Sequence, residues 1–167
     1  HLPLAERVAE LRQDDTKAQI LSELSVDEEK AVMNLTRGFG KFFPMGNPPN
    51  YEPAPEESIE ELAKVQGCDP MEMVYDTLLL QEGKELILYP ILNYAEGSCE
   101  PIYEMLHHPR GALGLGDGGA HCGVICDASI PTFMLTHWVR DRTRGARLPI
   151  EFAVKRMTKD TADLYGL

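Results

Sequence analysis

The side chains in this sequence that could do chemistry are concentrated in residues 112–127, ALGLGDGGAHCGVICD. This stretch holds the carboxylate of Asp117 among several glycines, with His121 four residues later and Cys122 and Cys126 beyond it. A carboxylate is a hard ligand for a divalent cation, and it can also take a proton from a metal-bound water. An aspartate in a glycine-rich stretch equally often only shapes a tight turn. The residue types alone leave both interpretations of Asp117 open.

The segment before Asp117 favours a functional role. Residues 112–116, ALGLG, form a short apolar run, and residues 86–92, LILYPIL, form a longer one. Continuous apolar runs of this length are typical of strands buried on both faces of a parallel sheet. Side chains that follow the carboxyl ends of such strands face the crevice in which α/β folds place their sites. Asp117 and Asn93 would then face the same crevice.

Two further residues are weaker candidates for that crevice. His121 is either a second metal ligand or a residue that orients a neighbour and caps the next helix. Asn93 either contacts a substrate or bonds to the turn that follows it. The four cysteines contain no C-x2-C pair, which argues against a structural zinc site and favours reduced thiols in a cytoplasmic protein.

Helices with clear start signals alternate with these two strands. Ser58 to Glu61 reads as a capping box, and Asp69 with Pro70 reads as a second helix start. Alternation of this kind predicts an α/β fold with parallel pairing. Two strands cannot form a covered sheet, so we expect either a second copy of the chain or a larger barrel to complete it. The helices are predicted over residues 4–12, 16–24, 26–35, 70–81, 98–107, 131–141 and 149–157, with a further helix starting at Ser58 and a last turn before Gly166.

Composition excludes two classes of partner. The formal net charge is -11, whereas phosphate binding requires a basic surface, so no nucleic-acid partner is expected. No run of 18 apolar residues occurs, so no membrane span is expected. Arg140 and Arg142 could bind a substrate carboxylate, but on an outer helix they are expected to be solvated. Residues 37–57 combine glycines, prolines and aromatic residues and are predicted to be an irregular loop, called here the aromatic loop.

The sequence also resembles a known family. Residues 113–142, LGLGDGGAHCGVICDASIPTFMLTHWVRDR, and residues 148–167, LPIEFAVKRMTKDTADLYGL, are similar to the C-terminal barrel portion of the N-acyl-D-amino-acid deacylases of the amidohydrolase superfamily. The similarity extends upstream through residues 47–63, 69–79 and 2–12. The segment around Asp117 is its most specific part.

The resemblance implies a fold, a metal and a substrate. It implies a distorted TIM barrel, of which residues 1–167 would be the C-terminal portion, with residues 86–92 as the seventh strand and residues 112–116 as the eighth. It implies one or two zinc ions and hydrolysis of the amide bond of a small-molecule N-acyl-D-amino acid. Asp117 matches the aspartate that serves this family as a metal-site residue and general base.

The chain also departs from that family. The family has a His-x-His pair on its first barrel strand and two more histidine ligands on middle strands, and none of the five histidines here matches them. We therefore expect the last third of such an enzyme, with an incomplete zinc ligand set and no activity as an isolated chain. Two alternatives remain: a cyclic-amide hydrolase of the same superfamily, or a non-catalytic α/β module that forms a homo-oligomer through its sheet edge and the aromatic loop.

Overall fold

The structure, a computed structural model, describes residues 2–23, 38–90, 94–114, 116 and 127–167. Over these residues the chain is rich in helix and divides into two compact units, His1–Gly97 and Ser98–Leu167. Each unit is described by itself. No helix in the described part of the chain has the length and apolar character needed to cross a membrane.

The first unit consists mainly of short helices. Single 3₁₀ turns lie at Phe39–Lys41 and Pro55–Glu57. The helices are α1 (Leu4–Leu11), α2 (Asp14–Ser22), α3 (Ile59–Gln66), α4 (Pro70–Leu78) and α5 (Leu80–Gly83), and the strands are β1 (Phe43–Pro44) and β2 (Ile87–Leu88). The predicted helix over residues 26–35 lies outside the described residues.

The predicted helix starts are confirmed at α3 and α4. The Ser58 hydroxyl accepts a hydrogen bond from the Glu61 amide, and the Asp69 carboxylate accepts one from the Met71 amide. The second half of the predicted capping box does not form, because the Glu61 carboxylate pairs with Lys64 at 2.7 Å instead. These two caps fix where the helices begin, because each accepts from an amide that the helix itself leaves without a partner.

Helix α4 ends earlier than predicted. It stops at Leu78 rather than near residue 81, and α5 follows at once. Within α5, Gln81 and Glu82 have positive φ angles of 50° and 58°, in the left-handed region. The continuous helix predicted from the apolar spacing is therefore broken by a left-handed turn.

The strand pair differs from the prediction. Strand β2 covers two residues of the apolar run 86–92, and it pairs antiparallel with β1, with Phe43 opposite Leu88. Strand β1 belongs to the aromatic loop, which was predicted to be irregular throughout. The parallel pairing predicted between residues 86–92 and 112–116 is not formed in the described residues. Strand β1 of the aromatic loop pairs with β2 instead, and Phe43 is buried there. Pro90 has no N–H, so it cannot donate a hydrogen bond that would extend the strand pair.

The core of the first unit lies between α3 and α4. Ile59, Ala63 and Met73 form a buried cluster. Partly buried apolar side chains pack around it from both sides, namely Phe39, Phe42, Leu62, Cys68 and Val74. Phe39 and Phe42 of the aromatic loop thus pack against the helix pair.

The second unit is helical in the described residues. After a 3₁₀ turn at Asp127–Ser129, helix α7 passes into a π-helix, Met134–Asp141, in which the Arg142 amide bonds to the carbonyl of His137, five residues earlier. The buried apolar residues Met134, Trp138, Leu148 and Ala153 form the interior. The α-helices are α6 (Glu100–His107), α7 (Ile130–Phe133), α8 (Ile150–Met157) and α9 (Lys159–Tyr165). Their positions confirm the predicted helices to within about two residues, the usual uncertainty of helix ends.

Candidate functional site

The residues predicted to form the site lie outside the described part of the chain. These are Asp117, His121 and Asn93, together with Cys122 and Cys126. The structure describes the segments that border these residues in the chain.

The chain leading to Asp117 is held at two points. The Gly111 carbonyl accepts a hydrogen bond of 2.8 Å from Nη2 of Arg156 on α8. Gly116, the residue just before Asp117, lies beside the start of α7, where a Cβ would come within 3.3 Å of the Pro131 ring. The Pro131 ring would have to shift by a few tenths of an ångström to accept such a Cβ. Helices α7 and α8 therefore position the segment that enters the candidate site.

Arg156 is buried, which is uncommon for a charged side chain. It is 7% exposed, and besides Gly111 it binds the Asp160 carboxylate, with 3.1 Å between Nη1 and Oδ2. Lys155 binds the other oxygen of Asp160 at 2.6 Å. The hydrogen bonds from Lys155 and then Arg156 lower the pKa of Asp160. The i,i+4 spacing of Arg156 and Asp160 was the sequence signal for this pair.

The prediction that Arg140 and Arg142 are solvated is confirmed for Arg140 and wrong for Arg142. Arg140 is exposed and pairs with Asp141 as a solvated residue would, but Arg142 is 1% exposed. Its guanidinium donates to Glu100 and to the Ala146 carbonyl, both at 2.8 Å. It also lies over the rings of Trp138 and Tyr103, at 4.9 Å and 5.4 Å from their centroids. A planar, always charged guanidinium can make cation–π contacts with two rings and also bind a carboxylate. These contacts explain the burial of Arg142.

The described histidines are mostly engaged in packing. Nδ1 of His107 donates to the Tyr103 carbonyl, and its ring stacks on Phe152 at 4.6 Å. Nδ1 of His108 accepts from the Arg110 amide. His137 is buried and stacks on Phe133 at 4.7 Å, as expected for a core residue on an amphipathic helix.

Within the second unit, two metal-ligand donors come close together. A ring nitrogen of His137 lies within 4.8 Å of Sγ of buried Cys99. A catalytic zinc site has about three protein ligands besides water. Within each unit by itself, the described residues do not bring three such donors together. Asp117 and His121, the candidate ligands of the zinc site implied by the family resemblance, lie outside the described residues.

Tyr94, the residue after Asn93, has a packing role. Its hydroxyl donates to the Pro53 carbonyl, and its ring meets the Phe43 ring edge-on at 6.0 Å. Both partners belong to the aromatic loop. The two alternatives for Asn93 stay predictions, because Asn93 lies outside the described residues.

Comparison with known proteins gives no relative. No family model matches the chain, and neither a curated protein nor a solved structure matches it.

Proposed function

We propose that the chain is the C-terminal part of a metal-dependent amidohydrolase that acts on N-acyl-D-amino acids. The observation that carries this proposal is the sequence around Asp117, residues 113–142, in which an aspartate follows an apolar run and precedes glycines and His121. The similarity of residues 148–167 to the same family supports it independently. Helices α6 and α7 precede and follow the Asp117 segment in the chain.

Asp117 is the residue that would do chemistry in such an enzyme. A zinc ion, where present, polarises the amide carbonyl and lowers the pKa of the attacking water. Asp117 would accept the proton of that water and pass it to the leaving nitrogen, which is the work of a general base and then a general acid. Arg156 acts here on the backbone, through its hydrogen bond to the Gly111 carbonyl.

The experiment begins with the gene upstream of the codon for His1. We expect a His-x-His pair after a short apolar strand, and expression of the extended chain should give release of a D-amino acid from its N-acyl derivative. Asp117→Asn should lower kcat about 10²- to 10⁴-fold, the usual contribution of a general base. Asp163→Asn, which changes an exposed carboxylate paired with Lys159, is the matched control and should keep full activity.

Two outcomes would overturn the proposal. An upstream reading frame without the His-x-His pair would exclude the family. An extended chain that hydrolyses a cyclic amide but no N-acyl-D-amino acid would keep the superfamily and reject the substrate.

A further inference from the structure

The second unit contains a cleft that the proposed function does not use. It lies between the turn after α6, helix α8 and helix α9, and its volume is about 530 Å³. Ligand sites in proteins usually measure about 300–1,000 Å³. We call this cleft the anion cleft. Its lining includes the cations Arg110, Lys155 and Arg156, the carboxylates Asp160 and Asp163, and the apolar side chains of Pro109, Phe152 and Leu164.

Positive charge exceeds negative charge in the anion cleft. Asp160 is shared by two cations, Lys155 and Arg156. Asp163 is already paired with Lys159, outside the cleft lining, at 2.7 Å. Arg110 is exposed and adds a third cation. The lining therefore carries an excess of about one positive charge, although the chain as a whole carries -11.

Arg156 gives the cleft a fixed donor. Its guanidinium is buried and held from two sides, by the Gly111 carbonyl and by Asp160, so its orientation is set before any ligand arrives. Its Nε is buried and has no hydrogen-bond partner among the described residues. Planar guanidinium groups bind carboxylates with two parallel hydrogen bonds.

The apolar side chains limit the class of ligand. Phe152 is fixed by its stack on His107, and it forms an apolar wall together with Pro109 and Leu164. An excess of one positive charge balances a monoanion, whereas a dianion would be repelled by the two carboxylates of the lining. We propose that the anion cleft binds a small organic monocarboxylate, with its carboxylate on the three cations and its apolar body on the wall. This inference does not rest on the proposed function.

The experiment titrates the full chain with hexanoate and follows the amide resonances by ¹H–¹⁵N NMR at constant ionic strength. We expect saturable shifts at Gly111 and along α8 and α9, with a Kd of about 1 mM for a ligand of this size. Hexanamide has the same shape without the charge and should bind at least about tenfold more weakly, because the charge-assisted hydrogen bonds are lost. Inorganic phosphate should also bind more weakly than hexanoate.

Variants place the binding in the cleft. Arg110→Gln and Lys155→Gln change exposed side chains and should each weaken hexanoate about fivefold or more, with unchanged far-UV circular dichroism. Arg7→Gln, an exposed arginine of α1, is the matched control and should leave the Kd unchanged. The proposal fails if hexanoate gives no saturable shifts, if hexanamide or phosphate binds as tightly, or if Arg7→Gln weakens binding as much as Arg110→Gln.

Discussion

Glu85 shows how one buried carboxylate can hold the strand pair of the first unit. It is 7% exposed, and its Oε1 accepts hydrogen bonds of 3.0 Å from the amides of Gly46 and Leu86. Gln81 donates to its other oxygen at 2.6 Å. Burial by itself raises the pKa of Glu85, but the bonds from Leu86, Gly46 and Gln81 outweigh it, so the pKa lies below its ordinary value.

The pH dependence of stability tests this account of Glu85. Because its pKa is lower in the folded chain, the ionised carboxylate stabilises the fold fully above the unfolded value of 4.5, and this stability is lost as the pH falls through the folded pKa. Glu85→Gln should lower the free energy of unfolding by about 2 kcal/mol at pH 7. In urea titrations this difference should shrink as the pH drops below 4.5. Glu82→Gln, at a fully solvated side chain, should change stability by under about 0.5 kcal/mol at every pH. A Glu85→Gln deficit that stays constant with pH would contradict the role of the ionised form.

Helix α3 allows a comparable test at the level of one element. Ser58 is 2% exposed, and its hydroxyl accepts from the Glu61 amide at 3.3 Å. Ser58→Ala should destabilise the chain by about 1 kcal/mol in urea unfolding, the usual cost of losing an N-cap. Glu61→Gln should cost less than about 0.5 kcal/mol, because the Glu61 side chain makes only an exposed pair with Lys64. Equal losses for the two variants would mean that the reciprocal capping box forms after all.

The same element shows what can be predicted from sequence. The caps at Ser58 and Asp69 were predictable because the donor and the acceptor lie two or three residues apart. The pairing of Phe43 with Leu88 was not, because it joins two segments far apart in sequence that share no local pattern. The short apolar run 86–92 fits a parallel and an antiparallel strand equally well.

At the scale of the whole molecule, charged residues were the hardest to place. Arg142 was expected to be solvated, since arginine usually is, and its burial depends on Tyr103 and Trp138, which the fold brings to it. For the candidate site, the sequence singled out Asp117 by type and position, and the resemblance proposed its task. Residue spacing could not place it in three dimensions, because its glycine neighbours allow many backbone conformations.

The ligand inventory of the whole chain leads to a last prediction, that the isolated 167-residue chain has no deacylase activity. The resemblance assigns it one metal-site residue, Asp117, and the described residues of the second unit bring together the Cys99 and His137 donors, whereas a catalytic zinc site takes about three protein ligands. The measurement is release of a D-amino acid from an N-acyl-D-amino acid with zinc added, in parallel for the chain and for Asp117→Asn. Equal, background-level release is expected from both. If the chain shows turnover and Asp117→Asn abolishes it, the chain builds a working site by itself and the prediction is wrong. If both proteins show equal turnover, the activity comes from a host enzyme in the preparation.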